Sequence, residues 1–422
     1  MKRLIQFAER AGIAVACLLL ATQAMGDDYA DARAELIAAY QAEDYATMVT
    51  AAERALLARP GHPGAMFNLA LANTLNGNPE AALGNFMALV MRGVDFGVSD
   101  MDEFVALRKL PGWAFYQERV AALNAPVGTA TVALRLDEDR YVPEGIAVDK
   151  RGNIYLGSIR YGELRRGEDV LSRRQGHWSV FGMRFHDDGS LWFASAAVAQ
   201  LEDVGEDLGK TGLFRLDVQT GEITRAAILP QYAEQQVLGD LLIAGDIIYT
   251  TDSLTGAVYA YDIKAHRFKA IVERGALRSP QGLVLDESGE RLYVADYSTG
   301  LYVVTLSTEE LEKLQVIDQT PEVGIDGLYR RGDELIAIQN GIRPHRVATF
   351  RLMQGRGGEV ATRGRTLASN LPGFDEPTLG ALQGDDFYFV ANSHWNRFDA
   401  ENRLPDGLTG PIVLKLSLSA EQ

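Results

Sequence analysis

Oxygen-bearing side chains recur at one position of a repeated phrase in this sequence. The phrase is written twice almost unchanged, as PEGIAVDKRGNIYLGS over residues 143–158 and as PQGLVLDESGERLYVAD over residues 280–296. The residue before the first glycine is Glu144 in one copy and Gln281 in the other, and Asp326 holds the same place in GIDGLYRRGDELIAIQNG. Carboxylate and amide oxygens are the ligands that hard cations such as Ca²⁺ prefer. If the fold brings these positions together, Glu144, Gln281 and Asp326 form a divalent-metal site.

Each copy of the phrase predicts a pair of antiparallel β-strands joined by a glycine-containing turn. Related pairs follow along the chain, and several are extended by a third strand. With the first copy they make six, the others being GMRFHDDGSLWFAS, GDLLIAGDIIYTTD, GLVLDESGERLYVAD, GLYRRGDELIAIQNG and GALQGDDFYFVANS. Their period, 45 residues between Gly282 and Gly327, is typical of the four-stranded blades of a β-propeller. Residues 127–422 therefore predict a six-bladed β-propeller, and the whole chain is predicted to be mainly β.

The innermost strands of a propeller begin at one end of its central channel, so the repeated position should form a ring there. A position needed only for folding should look alike in every blade, whereas this one mixes carboxylates, an amide and apolar residues. Around the ring its occupants are Glu144, Phe181, Gly239 (with Asp240 beside it), Gln281, Asp326 and Thr378. The pattern favours a hard-cation site, and the alternative is an acidic channel mouth that is simply hydrated.

The quoted phrases resemble the blade motifs of the gluconolactonase, senescence-marker-protein and luciferin-regenerating-enzyme group of six-bladed propellers. More distantly they resemble paraoxonases, strictosidine-synthase-like proteins and NHL repeats; the resemblance covers about residues 130–418. It implies a divalent metal held by a Glu, two Asn and an Asp, with Glu144 and Asp326 at the Glu and Asp positions and Gln281 at one Asn position. The other Asn position falls at Gly239, where Asp240 is the nearest substitute. The resemblance also implies a base beside the metal, for which Asp240 is the candidate.

Two histidines lie in loops that should run over one rim of the ring. His345 in NGIRPHRV and His394 in NSHWNRF each follow a second strand, and Asn340 and Asn392 precede them at what we interpret as equivalent positions. Either histidine could orient a substrate or act as a base near neutral pH; the alternative is a hydrated surface histidine. The candidate catalytic residues are therefore Asp240, His345 and His394.

Residues 27–125 predict an α-helical region in front of the propeller. In AMFNLALANTLNGNPEAALGNFMALV, the small residues Ala70 and Ala82 allow two helices to approach closely, and Gly77-Asn78-Pro79 breaks the chain between them. This order resembles a tetratricopeptide repeat. Two interpretations remain open: a groove that binds a protein partner, and a helical cap without a partner.

The first 26 residues predict a secretory signal peptide. A basic start, the short apolar run AGIAVACLLLA and the sequence Ala24-Met25-Gly26 fit its three parts. The apolar run is too short to span a bilayer, and the alternatives are an uncleaved anchor or lipid attachment at Cys17. Cleavage would leave a protein without cysteine or membrane span, located in the periplasm or secreted.

Charge narrows the classes of function. The chain has a formal net charge of −16, and removal of the leader, which carries +2, leaves −18. Such a protein repels nucleic acids and anionic lipids and attracts cations.

The sequence contains no P-loop, no GxSxG motif and no zinc-type His/Cys spacing. Two hypotheses remain: a metal-dependent hydrolase of lactones or related esters, with a small-molecule substrate in the channel, and a non-catalytic periplasmic scaffold that binds a ligand or a protein.

Overall fold

The computed structural model describes residues 28–231, 235–318, 320–356 and 358–419. They form two compact units: one contains residues 28–126 with the short segments 316–318, 320–321 and 342–344, and the other contains the rest. The predicted leader, residues 1–26 with Cys17, lies outside the described residues. None of the described helices has both the length and the apolar composition needed to cross a membrane.

The first unit is helical, as the sequence predicts. Proline at the first position of α3 and α4 suits a helix start, because its missing N–H would have no helical partner there. Ala70 and Ala82 are fully buried, and Gly77 adopts φ +79° between their helices. The helices are α1 (Asp28–Gln41), α2 (Tyr45–Ala58), α3 (Pro63–Leu75), α4 (Pro79–Met91) and α5 (Trp113–Leu123), with 3₁₀ helices at Val98–Asp100 and Asp102–Lys109.

The second unit is a six-bladed β-propeller, which confirms the predicted fold. Blades 1 to 3 each contain four consecutive antiparallel strands. These are β2 (Pro143–Val148), β3 (Ile154–Ser158), β4 (Glu163–Arg166) and β5 (Asp169–Arg173); β6 (Ser179–Phe185), β7 (Leu191–Ala196), β8 (Thr211–Leu216) and β9 (Ile223–Ile228); and β10 (Leu238–Ala244), β11 (Ile247–Asp252), β12 (Ala257–Asp262) and β13 (Arg267–Val272).

Blade 4 follows this plan, and blades 5 and 6 vary it. Blade 5 gains a fifth strand, and blade 6 takes its outermost strand from the beginning of the propeller, because β1 pairs with β25. Their strands are β14 (Pro280–Leu285), β15 (Arg291–Asp296), β16 (Gly300–Thr305) and β17 (Glu310–Lys313); β18 (Gln315–Val316), β19 (Ile325–Arg331), β20 (Glu334–Gln339), β21 (Arg346–Gly355) and β22 (Gly358–Ser369); and β23 (Gly380–Gln383), β24 (Asp386–Val390), β25 (Ile412–Ser417) and β1 (Thr131–Arg135).

A shared irregularity marks the innermost strands of the first five blades. In blade 1, Pro143 pairs with Ser158 and Ile146 with Leu156, so Glu144 and Gly145 together stand opposite one residue. The same break occurs between Val180 and Met183, Leu238 and Leu241, Pro280 and Leu283, and Ile325 and Leu328. Such bulges redirect a side chain locally and are frequent beside functional sites. The ring position of the sequence is thus the bulged position in these five blades.

The glycine of the repeated phrase is required by the neighbouring blade. A Cβ atom on Gly145 would lie 2.0 Å from the carbonyl oxygen of Phe181, and one on Gly282 would lie 2.2 Å from the backbone nitrogen of Leu328. No side chain can occupy either place without moving the next inner strand. Blade 3 has Asp240 instead of glycine at this position.

Candidate cation site at the channel mouth

Three buried carboxyl groups meet at the end of the propeller where the inner strands begin. Glu144 and Asp326 come from the bulges of blades 1 and 5, and Glu376 from the segment before β23; their exposed fractions are 7%, 9% and 9%. The charges of Asp326 and Glu376 both act on Glu144, so the three groups share one electrostatic environment. The sequence predicted the first two of these groups, and Glu376 was not anticipated.

A neutral donor holds one oxygen of each carboxylate. The indole N–H of Trp395 donates to Glu144 Oε2 at 2.6 Å, and the Asn340 amide donates to Asp326 Oδ2 at 2.7 Å. The backbone N–H of Asn396 donates to Glu376 Oε2 at 2.9 Å. Within the described parts of the chain, the second oxygen of each carboxylate accepts no hydrogen bond, and none of the three forms a salt bridge.

No salt bridge in the described structure lowers the pKa values of these three carboxyl groups. Burial, and then the charge of Asp326, raises the pKa of Glu144 well above its ordinary value. Burial also raises the pKa of Asp326, although the Asn340 amide opposes the shift. Burial raises the pKa of Glu376 to about 7, against the opposing bond from Asn396. Each group is therefore hard to ionise unless a positive charge is supplied.

Asn340 adds an oxygen to the same place. Its Nδ2 donates to Asp326 and, at 2.9 Å, to the carbonyl oxygen of Pro377, which follows Glu376. Its Oδ1 is buried and has no hydrogen-bond partner in the described structure. A buried acceptor without a donor typically costs about 1–3 kcal/mol. A cation among these carboxylates would give that oxygen a partner.

Gln281 is bound to serine hydroxyl groups on both sides of its amide. Its Oε1 accepts a hydrogen bond from the Ser253 hydroxyl at 3.1 Å, and its Nε2 donates to the Ser279 hydroxyl at 3.1 Å. A Cβ atom on Gly239 would lie 2.5 Å from Ser253 Oγ, so a side chain there would displace this serine. Through Ser253, Gln281 is connected to blade 3.

Asp240 has a partner of its own. Arg184 lies 3.3 Å from its Oδ2, and the backbone N–H of Leu241 donates to Oδ1 at 2.8 Å. The same guanidinium stands over the ring of Tyr329, with 5.4 Å from its central carbon to the ring centroid. Burial raises the pKa of Asp240, whereas the charge of Arg184 lowers it. Asp240 is thus engaged in a buried ion pair.

The two candidate histidines lie in different surroundings. His345 Nδ1 accepts a hydrogen bond from the backbone N–H of Glu376 at 3.0 Å, so it lies beside the third carboxylate. His394 is 4% exposed and its Nε2 lies 2.7 Å from the carbonyl oxygen of Thr409, which assigns the proton to Nε2. Its Nδ1 is buried and has no partner among the described residues. His394 therefore keeps an unengaged lone pair next to Trp395 in the chain.

The donor set fits a hard cation with a partly hydrated coordination sphere. Glu144, Asp326 and Asn340 supply oxygen atoms, which suit Ca²⁺ better than zinc or copper. Among the described residues, however, no group of three or more His, Cys, Asp or Glu side chains is arranged to hold a metal ion directly. Calcium takes six to eight oxygens and readily includes amides and waters. The residues therefore fit calcium held by two carboxylates, amide oxygen and water.

An aromatic segment covers this end of blades 1 and 2. Trp395 begins a 3₁₀ helix, Trp395–Arg397, in the loop between β24 and β25. Its ring centroid lies 6.4 Å from that of Phe181 and 6.3 Å from that of Phe398. A connection this long often has a functional role. The sequence contained a signal for it, since all other inner hairpins are followed by shorter connections to the third strand.

Comparison with known proteins finds low-identity similarity to solved structures and no matching family model. No protein-family model matches the chain, and no curated protein matches it. The chain is similar to the PQQ-bound aldose sugar dehydrogenase of Streptomyces coelicolor, with 12% identity over 69% of this chain and 99% of that one and a TM-score of 0.47. It is also similar to the calcium-binding protein regucalcin of Agrobacterium tumefaciens, with 16% identity over 68% and 93% of the chains and a TM-score of 0.47. The six-bladed propeller predicted from the sequence is confirmed by the strand pairing.

Proposed function

We propose that the propeller binds a divalent cation, calcium by its donor set, at Glu144 and Asp326, and that this channel mouth hydrolyses lactones or related esters. The observation that carries the proposal is the group of three buried carboxylates without a basic partner in the described structure. Burying an uncompensated charge costs several kcal/mol, and a bound cation removes that cost. The regucalcin similarity concerns the fold and is not needed for this argument.

Each residue of the proposed site would have a separate role. Glu144 and Asp326 would hold the ion, and Trp395 and Asn340 fix the orientation of their carboxylates. A bound divalent ion would supply Lewis-acid chemistry, polarising a carbonyl and lowering the pKa of a bound water. We propose His394 as the general base that would accept a proton from the attacking water and return it to the leaving alkoxide, a role that requires its buried Nδ1 to become accessible to water.

Turnover of a lactone panel tests the hydrolytic part. Purified protein is assayed with Ca²⁺, Zn²⁺ or Mn²⁺ and after chelation, and the released acid is measured. We expect hydrolysis with metal, its loss after chelation, and its loss in Glu144→Gln, because that carboxamide binds a cation more weakly. Asp375→Asn, a neighbouring half-exposed acid that pairs with Arg397, is the control and should remain active. A panel without turnover under any metal would rule out the lactonase proposal and leave cation binding to be judged separately.

We also propose that the protein is exported to the periplasm or secreted. The support is the composition of residues 1–26, with a basic start, a short apolar run and a small-residue cleavage sequence.

The helical unit supports a second candidate function, binding of a protein partner without catalysis. Leu83, Gly84 and Met87 of α4 line an apolar cavity of about 290 Å³ with Leu110 and Phe115. Gly84 lies in the helix interior, where glycine costs about 0.5–1 kcal/mol relative to alanine, yet a Cβ atom there would meet no atom within 4 Å. Glycine is therefore not required by packing at this position, and it keeps the cavity open. We propose that the cavity receives an apolar side chain of a partner protein. A basic residue next to that side chain in the partner would pair with Glu80 at the rim of the cavity.

Peptide selection tests this second candidate. A random twelve-residue display library is selected against the intact protein, and the enriched peptides are then tested on Gly84→Leu, which fills the cavity. We expect enrichment of an aliphatic or aromatic residue next to Lys or Arg, and loss of binding in Gly84→Leu. Ala81→Leu, exposed on the same helix and outside the cavity, should bind like the wild type. Equal binding to all three proteins would contradict a docking role for the cavity.

A further inference from the structure

Glu376 is connected to Glu144 through the loop that carries Trp395. The backbone N–H of Asn396 donates to Glu376 Oε2 at 2.9 Å, and the Ser393 hydroxyl donates to the same oxygen at 3.3 Å. Trp395 lies between these two donors in the chain and holds Glu144 through its indole N–H. Glu376 therefore stabilises the loop that orients a proposed cation ligand, while its Oε1 accepts no hydrogen bond from the described residues.

The hydrogen bonds that Glu376 accepts from this loop do not require it to be negatively charged. The neutral carboxamide of a glutamine could accept the same two hydrogen bonds through its oxygen. The backbone conformation is not special to Glu376 either, since its φ of +38° is matched by +48° at Val142 and +68° at Gly324, the equivalent places before β2 and β19. What distinguishes the sixth blade is a carboxylate at this place.

Apart from Glu144 and Asp326, the other buried carboxylates of the propeller are held more completely than Glu376. Glu163 and Asp240 form salt bridges with arginine, and both oxygens of Asp252 and of Asp296 accept hydrogen bonds. Glu376 forms no salt bridge among the described residues, and the charges of Asp375, Asp326 and Glu144 repel its own. A third negative charge is favourable in this place only when a cation is shared.

We propose that Glu376 is the third acidic residue of the cation site, and that its charge strengthens binding of a divalent cation held by Glu144 and Asp326. This inference depends on the cation site proposed above. Because no three acidic side chains of the described structure are arranged to hold an ion directly, Glu376 acts through a water of the bound ion. Residues in such an outer position typically change metal affinity by about 10–100-fold when they are mutated.

Calcium titration of the intact protein by calorimetry, with tryptophan fluorescence recorded in parallel, tests the role of Glu376. In Glu376→Gln the loop keeps its hydrogen bonds, so we expect the fluorescence spectrum of the metal-free protein to stay unchanged while the calcium dissociation constant increases by about tenfold. Glu376→Asp, which keeps the charge, should bind calcium more tightly than Glu376→Gln. Asp385→Asn, which removes an exposed charge of the same blade that pairs with Arg331, is the control and should bind like the wild type.

The outcomes separate this inference from the proposed cation site. Calcium binding to the wild type with an equal dissociation constant in Glu376→Gln would overturn the role of Glu376 and leave the site intact. If Glu376→Gln does not fold, Glu376→Ala with the same fluorescence as the wild type takes its place. Calcium binding at least tenfold weaker in Glu376→Ala, with the affinity kept in Glu376→Asp, supports the inference. Equal affinity in Glu376→Ala overturns it. A wild type that binds no divalent ion would overturn the cation site itself.

Discussion

Removal of divalent cations is expected to lower the melting temperature of the wild-type protein. Without the ion, the buried carboxylates Glu144 and Asp326 repel each other and have no positive neighbour within the described structure. With the ion, folding is stabilised by mass action, by about 2.7 kcal/mol when the free cation exceeds its dissociation constant a hundredfold. The measurement is thermal unfolding with saturating calcium and with chelator at pH 8, above the pKa of about 7 of Asp326 and Glu376.

Two charge-neutralising variants make this experiment specific. Glu144→Gln and Asp326→Asn each remove one charge and keep the side-chain shape, so the chelated variants should melt no lower than the chelated wild type. Their response to calcium should shrink, since one strong ligand is gone. Asp385→Asn, which removes an exposed charge outside the site, should respond like the wild type. If the wild type melts at one temperature with calcium, with other divalent ions and with chelator, the cation site is wrong, and the lactonase proposal falls with it.

Replacing Gly282 by alanine is expected to destabilise the propeller by about 3 kcal/mol, the upper part of the range for overpacking. The new Cβ atom would lie 2.2 Å from Leu328 N, 2.7 Å from Asp326 O and 2.8 Å from Gly327 C. All three are backbone atoms of the next inner strand, so the strand itself would have to move. Urea unfolding should show a lower transition midpoint with an unchanged slope, and the calcium affinity should decrease because Asp326 shifts with its strand.

Gly84→Ala provides the opposite case for comparison. This helix-interior glycine has open space around its Cβ position, so alanine should stabilise α4 by about 0.5–1 kcal/mol.

A Gly282→Ala protein that unfolds at the same urea concentration as the wild type would show that the blades separate easily, and would contradict the tight packing between β14 and β19.

The fold could be predicted because its causes are local and repeated. The hairpin in PEGIAVDKRGNIYLGS depends on alternation and one turn, and six copies leave few alternatives to a propeller. The aspartates that end two second strands were also predictable as caps: Asp296 accepts hydrogen bonds from the backbone N–H groups of Ser298 and Thr299 at 3.0 and 2.8 Å. Asp252 does the same for Leu254 and Thr255, at 3.2 Å each.

The site could be predicted only where it follows the repeat. Glu144 and Asp326 were found because the bulge places the same residue of five blades at the channel. Glu376 lies outside the repeated phrase, two residues before Thr378, and Trp395 reaches Glu144 from a loop 251 residues away in sequence. The pairing of Asp240 with Arg184 was equally hidden, since the repeated phrase marks both positions without indicating that the two side chains meet. Such contacts depend on loop paths and side-chain directions, which a periodic pattern does not encode.

The pairing of β1 with β25 has a consequence for the order of events when the chain folds. The last blade cannot be completed until the final strand of the chain meets a strand made before the first blade, so ring closure spans the whole propeller and is entropically slow. Glu144 belongs to the first blade and Glu376 and Trp395 to the last, and these side chains become neighbours only at that closing step. A nascent chain therefore has no assembled acidic pocket, and the proposed cation site can form only after the ring has closed.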